Sequence, residues 1–222
     1  MLVLESMAHA KARGAKILAE LCGFGMTSDS KDMVNPDIDG PSEAMRLALE
    51  DAELAPTDID YLNAHGTATT VNDRNETNAI KRVFGKHAYN LRVSSTKSMH
   101  GHPLGAGGGI EAVACIKAME EGWVPPTIGL DEADPECDLD YVPNVGRDQK
   151  RSPTPCRTPF AFGGLNAVLV FRPPSGVTQL AEKIGQALSA SAWASLSWRA
   201  LVCRGVTSSS ARRKLRASNP RT

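Results

Sequence analysis

Lys97, His100 and His102 fall within six residues, after a strand-like run and before a segment dense in glycine: Gly105, Gly107, Gly108 and Gly109. Strand ends and helix starts are where a scaffold presents polar groups to a ligand, and a helix N-terminus favours negative charge. Each glycine costs about 1 kcal/mol relative to alanine inside a helix. That cost makes sense where a ligand or another backbone approaches closely. A further histidine, His65, ends another strand-like run and opens a Gly/Thr loop, Gly66-Thr67-Ala68-Thr69-Thr70. Two strand-end histidines can donate hydrogen bonds to an oxygen on which charge develops. One well-placed donor in a dry pocket is worth about 3–4 kcal/mol. The bland alternative is a tightly packed helix with surface histidines, and the 97–109 segment alone leaves the two readings even.

The elements that must hold these residues follow from periodicity. Residues 11–25 alternate as a long strand, and residues 1–5 read as a strand entered partway along. Residues 42–54 predict a helix capped by Ser42. A strand over 58–65 ends in His65, and 73–84 has helical spacing with Ala79, Ile80, Val83 and Phe84 on one side. A strand over 91–95 leads to Lys97. Residues 104–121 predict a helix that is apolar nearly all round (Ile110, Val113, Ile116, Met119) and therefore buried between layers. Pro125-Pro126 ends that helix, 131–140 is a surface loop, and 167–171 is strongly β-prone. Alternating strands and helices imply an α/β layered architecture around a largely buried mixed sheet.

Three motifs stand in order: Asn63-Ala64-His65-Gly66-Thr67, the run from Ser94 to Leu104, and Phe160-Ala161-Phe162-Gly163-Gly164-Leu165-Asn166. Together they resemble the C-terminal half of the β-ketoacyl-acyl-carrier-protein synthases of the synthase II type, condensing enzymes with a thiolase-like layered α-β-α fold. The resemblance runs from residue 1 to about 172. It implies a decarboxylative Claisen condensation of an acyl thioester with malonyl-acyl-carrier-protein in fatty-acid biosynthesis. It implies His65, Lys97 and His102 as catalytic residues. The histidines would contact the malonyl group and Lys97 would tune the charge beside them. It implies Thr67 and Thr69 as partners of the phosphopantetheine arm, and Phe160, Phe162 and Gly163 as a substrate-binding gate loop. Glu76 and Asp73 match charged positions that read as structural supports. His102, which follows a glycine, is selected over His100. No cofactor or metal is implied, since the substrates ride on the phosphopantetheine of the acyl carrier protein. Pro103, Ala161, Leu165 and the Thr158-Pro159 pair depart from the family pattern around these motifs.

A condensing enzyme also needs a cysteine to carry the acyl chain, placed in the family at a strand-to-helix turn of the N-terminal half. None of the five cysteines has that context. Cys22 is mid-strand, Cys115 lies in the apolar helix and Cys137 in an acidic loop that raises its pKa. Cys156 lies between prolines and Cys203 in a basic tail. The chain is therefore expected to be a truncated product or one piece of a split enzyme, inactive by itself. It would pair with the missing N-terminal half or dimerise as the family does. The alternatives are a non-catalytic thiolase-fold partner subunit, or the ketosynthase of a polyketide or nodulation-factor pathway.

The 222 residues can bury a full core, with 41% hydrophobic and 23% charged residues, as in ordinary globular proteins. No apolar run approaches the roughly 18 residues of a spanning helix, and the scattered, odd cysteines fit a reducing cytoplasmic setting. Neither a membrane span nor nucleic-acid binding is expected. The formal charge of zero hides an asymmetry: from Pro173 onward eight basic residues face one acid, Glu182. The chain thus divides into a 1–172 half, which by resemblance is the C-terminal thiolase-like half of a ketoacyl synthase, and a 173–222 basic Ser/Ala/Arg-rich tail. Leu180, Ile184, Leu188, Ala192 and Leu196 allow part of that tail to be a loosely docked helix, and Val206 to Thr222 are expected to be disordered.

Overall fold

The computed structural model describes residues 1–28, 37–149, 155–157, 160–161 and 165–174. The sheet runs in the order β1 (Glu20–Ser28), β8 (Leu165–Arg172), β6 (Pro155–Arg157), β2 (Tyr61–Asn63), β3 (Arg92–Ser94). A short β7 (Phe160–Ala161) pairs back on β8. β2 is parallel to both β3 and β6, whereas β8 is antiparallel to β1 and β6. A separate pair joins β4 (Trp123–Val124) to β5 (Arg147–Asp148).

The strands' two-residue period sorts their side chains onto two helical layers. Leu62, Val93, Val168 and Val170 face α2 (Asp39–Asp51) and α3 (Thr70–Phe84), meeting Met45, Leu49, Ile80 and Phe84 in one core. Tyr61 and Phe171, with Leu169 at the margin, face α5 (Gly107–Glu121), meeting Ala112, Cys115, Ile116 and Met119 in a second. The result is the expected α-β-α layering around a mixed sheet. At Gly25 the strand lies so close to α2 that a Cβ would sit 2.0 Å from the Ala44 carbonyl oxygen. The alanines of α2, Ala44 and Ala48, permit this approach.

Four expectations are corrected. Residues 1–5 form no strand, and the strand expected over 11–25 begins only at Glu20, because a short helix, α1 (Met7–Ala12), intervenes. Ser6 caps it by accepting the His9 amide at 3.3 Å. Glu5 also bonds the side chains of His9 and Arg13. Helix α2 starts at Asp39 rather than at Ser42. Its first-turn amides need no intrahelical partner, so Pro41 is tolerated there. Ser42 Oγ instead donates back to the Ile38 carbonyl at 2.6 Å. Helix α5 is not buried all round, since Ile110 and Val113 are 41% and 44% exposed.

Phe162, Gly163 and residues 175–222 lie outside the described residues. Among those described, no helix is long and apolar enough to cross a membrane.

Candidate active site

His65 stands just beyond β2 and is buried. The strand ends are locked together beneath it. Tyr61 Oη and Ser94 Oγ lie 2.9 Å apart, Asn63 Nδ2 donates to Thr96 Oγ1 at 3.0 Å, and the Ala64 amide donates to the Ser94 carbonyl at 2.9 Å. The chain then turns sharply. Gly66 has φ +40°, and a Cβ there would lie 2.5 Å from Ser95 Cβ, so only glycine fits. Ser95 Oγ donates to the Gly66 carbonyl at 2.8 Å, fastening this turn to the β3 end.

Helix α3 fixes the same turn from the other side. The buried Glu76 carboxyl accepts the His65 amide at 2.8 Å and the Gly66 amide at 2.9 Å. Asp73, one turn earlier, feels the amides of Ala68 and Thr67, which favour its charged form. Burial pushes the Glu76 carboxyl up to about 7, against the lowering effect of the two amides and of Lys97. Burial likewise raises Asp73. Thr67 and Thr69 bring their hydroxyls within 3.0 Å of each other at the rim.

After β3 the chain forms a single turn, α4 (Lys97–His100), and reverses at Gly101 with φ +75°. That reversal brings His102 back to His65, with ring centroids 5.3 Å apart and planes at 89°. Lys97 is buried and paired with Glu111 in the first turns of α5, itself 1% exposed. His100 points elsewhere, its Nε2 lying 3.2 Å from Thr96 Oγ1.

A cavity of about 830 Å³ opens beside these groups, lined by Gly66, Thr67, Thr69, Asp73, Glu76, Lys97 and His102. The loop between β4 and β5, including Ile128, Leu130, Cys137 and Tyr141, forms the facing wall. Of the two imidazoles, His102 borders this cavity and His65 packs against it edge to face from behind the turn. Among the described residues no group of three or more His, Cys, Asp or Glu side chains could hold a metal ion.

The structure thus brings together His65, Lys97, His102, Thr67 and Thr69 and leaves His100 aside. Phe160 lies on β7, in register with Asn166. Phe162 and Gly163, also expected at the substrate site, lie outside the described residues. Of the cysteines, Cys22 Sγ sits 3.4 Å from the Val170 carbonyl and Cys115 is buried in α5. Cys137 borders the cavity, and burial, more than the nearby acids, pushes its thiol up. Sequence reasoning missed Glu111 as the partner of Lys97 and missed the 127–141 wall. Glu111 did carry a signal: a carboxylate on the apolar side of α5, beside Ala112 and Cys115, requires a buried counter-charge.

Residues 18–131 match the family described as "Beta-ketoacyl synthase, C-terminal domain". Nodulation protein E of Rhizobium leguminosarum bv. trifolii is 57% identical over 172 residues, covering 78% of this chain and 42% of the relative. The 3-oxoacyl-[acyl-carrier-protein] synthase 2 of Synechocystis sp. is 50% identical over 178 residues, with the same coverage. The chain therefore spans about two fifths of the length of these curated relatives. Among solved structures, a β-ketoacyl synthase from Burkholderia phymatum superposes with a TM-score of 0.72 at 44% identity, covering 77% of this chain and 41% of the other. A type II PKS acyl-carrier protein in complex with its ketosynthase gives a TM-score of 0.74 at 40% identity, covering 77% and 42%. Fold, motif order and family match agree: the chain has the thiolase-like ketosynthase fold and belongs to the β-ketoacyl synthase family, whose C-terminal domain it carries.

Proposed function

We propose that this chain supplies the malonyl side of a condensing acyltransferase of the 3-oxoacyl-acyl-carrier-protein synthase type, working in the cytoplasm on thioesters held by an acyl carrier protein. In this reading the bond from the malonyl α-carbon to its carboxylate breaks and carbon dioxide leaves. The electron pair passes to the thioester oxygen as an enolate. His65 and His102 donate hydrogen bonds to that oxygen, which stabilises the charge only as it develops. The enolate carbon then attacks an acyl thioester carbonyl held on a cysteine that another chain segment provides, and the thiolate leaves. Lys97, held by Glu111, sets the charge beside the pair. Thr67 and Thr69 bond the phosphopantetheine arm, and Phe160, Phe162 and Gly163 gate the acyl side. No metal or resident cofactor enters these steps.

The observation that carries this reading is the edge-to-face meeting of His65 and His102 at 5.3 Å, with His102, Lys97 and Thr67 bordering the cavity. It is tested by purifying the chain alone and together with the N-terminal portion of the Synechocystis relative. Alone it forms no 3-oxoacyl product, and the combination restores condensation. Condensation by the isolated chain, with an acyl group trapped on Cys137, would overturn the division of labour.

A second reading concerns the product. The nodulation protein E relatives, at 57% and 54% identity, exceed the synthase 2 relatives at 50% and 49%. This difference favours a ketosynthase of a nodulation-factor pathway over one of bulk fatty-acid synthesis. Product chain length and unsaturation from the reconstituted enzyme separate the two.

A further inference from the structure

A groove of about 520 Å³ lies between α2 and α3, on the side of the molecule away from the α5 layer. Along it, Asp39, Glu43, Arg46, Glu50 and Leu54 recur at helical spacing, from the first turn of α2 to just past its last. Leu49, Leu54, Pro56 and Val83 give the groove an apolar lining, the first buried and the others partly so. The rim is charged. Arg46 pairs with Glu43 and Glu50, and Arg82 with Asp39, all through exposed side chains. With Glu53 just beyond α2, four acids stand against two bases.

The described chain ends at one end of this groove. Arg172 closes β8 with an ion pair to Glu20 at 3.0 Å, and Glu53 lies near enough to act on its charge. At the same end β1 presses on the end of α2, where a Cβ on Gly23 would stand 2.7 Å from Ala52 Cβ. From this point the sequence continues with eight basic residues and one acid, Glu182. Its apolar stripe, Leu180, Ile184, Leu188, Ala192 and Leu196, would span about 25 Å as a helix, against about 20 Å for α2. Residues 173–179 can reach about 23 Å when extended, enough to bring Leu180 over Leu54.

We infer that residues 180–196 dock as a helix in the groove between α2 and α3, antiparallel to α2, with Lys183 beside Glu50. A segment that enters near Glu53 and runs away from it can only be antiparallel to α2. With Leu180 over Leu54, a rise of about 1.5 Å per residue puts Lys183 level with Glu50 and Leu196 level with Asp39. The mode is that of an amphipathic helix laid in a groove, its apolar stripe on the lining and its cations on the acidic rim. Exposed ion pairs are individually weak and are screened by salt, so the segment docks and releases, and a protease still reaches it. The inference stands apart from the condensing reaction, and neither depends on the other.

Carbodiimide coupling of the full chain, read by peptide mass spectrometry, tests this, because it joins an amine to a carboxylate only where the two touch. A mixture of ¹⁵N-labelled and unlabelled chain separates links within a chain from links between chains. Lys183 should couple to Glu50 within one chain, and Glu50→Gln should remove that link with circular dichroism unchanged. Leu188→Asp lies outside the described core and should lower the yield about fivefold, as should 0.5 M salt, where screening acts over about 4 Å. Coupling of Lys183 to Glu120 or Glu121 of α5 would place the segment on the opposite layer and overturn the inference. Links only between labelled and unlabelled chains would make the occupant a second copy, with the same consequence. Absence of any Lys183 link, or a yield indifferent to Leu188→Asp, would also overturn it.

Discussion

The site's ionisable residues pair unequally with their surroundings, and that inequality governs how substitutions act. Lys97 and Glu111 satisfy each other in the interior, so removing one partner strands a buried charge. Lys97→Met or Glu111→Gln should each destabilise the fold by about 3–5 kcal/mol. The double variant Lys97→Met/Glu111→Leu should recover much of the loss, as read by urea unfolding. Glu76 behaves differently. Its folded-state carboxyl is raised from 4.5 to about 7 by burial, so between those values the folded chain binds more protons than the unfolded one. Stability then falls as pH rises through that window, by about 3 kcal/mol in total for a shift of this size. Glu76→Gln should flatten this slope in thermal melts between pH 4.5 and 7.5, and an unchanged slope would contradict the assignment. That His65, Lys97 and His102 come close together was legible in the sequence because their motifs are local, a few residues at strand ends. Glu111 and the Glu76 bonds were not, because they depend on helices packed onto those strand ends from residues far along the chain.

At the scale of elements, the mixed sheet between two helical layers follows from period-2 and helical patterning, the strand order does not, and α3 and α5 lie within a few residues of expectation. The errors fell where local chemistry overrode pattern. Ser6 and the Glu5 contacts start a helix inside an alternating run, and α2 absorbs the Asp39-Gly40-Pro41 stretch that composition marks as a loop. The contact of β1 with α2 is the tightest constraint at this scale. Gly25→Ala would drive a methyl into the Ala44 carbonyl and the Ala48 amide, both backbone atoms. It should cost 1–3 kcal/mol or about that, the usual range for overpacking, whereas an alanine at Gly105, where nothing lies within 4 Å, should be tolerated. The cavity wall offers a contrast. Arg74 reaches Asp134 and Glu136, and Lys81 reaches Asp138, all through exposed ion pairs of the kind that salt screens. Arg74→Ala should raise hydrogen exchange in residues 131–138 severalfold while leaving the free energy of global unfolding within about 0.5 kcal/mol of its original value. Equal exchange in the two proteins would show that the wall is held by other means.

At the scale of the molecule, one face of the sheet is uncovered beside α5. Phe24, Met26 and Leu165 share that face by register and are 48%, 61% and 50% exposed, and Ile110 and Val113 of α5 are exposed as well. A surface of this kind drives association. The chain by itself should self-associate in sedimentation experiments, and Phe24→Ser/Met26→Ser should shift it toward monomer. A monodisperse monomer at micromolar concentration would contradict this. The proposed boundary at 172–173 is checked by limited trypsin digestion, which should leave a core ending near Arg172. Protection of Arg199 and Arg204 would move the boundary.

The account's central claim is that His65 and His102 act together on the malonyl group. It is tested most directly by carbon dioxide release from malonyl-acyl-carrier-protein, measured with this chain joined to the N-terminal portion of a relative. His65→Ala and His102→Ala should each slow release by about 10²–10³-fold, with His100→Ala close to the unaltered rate. Decarboxylation that survives intact in both the His65 and His102 variants would contradict the account.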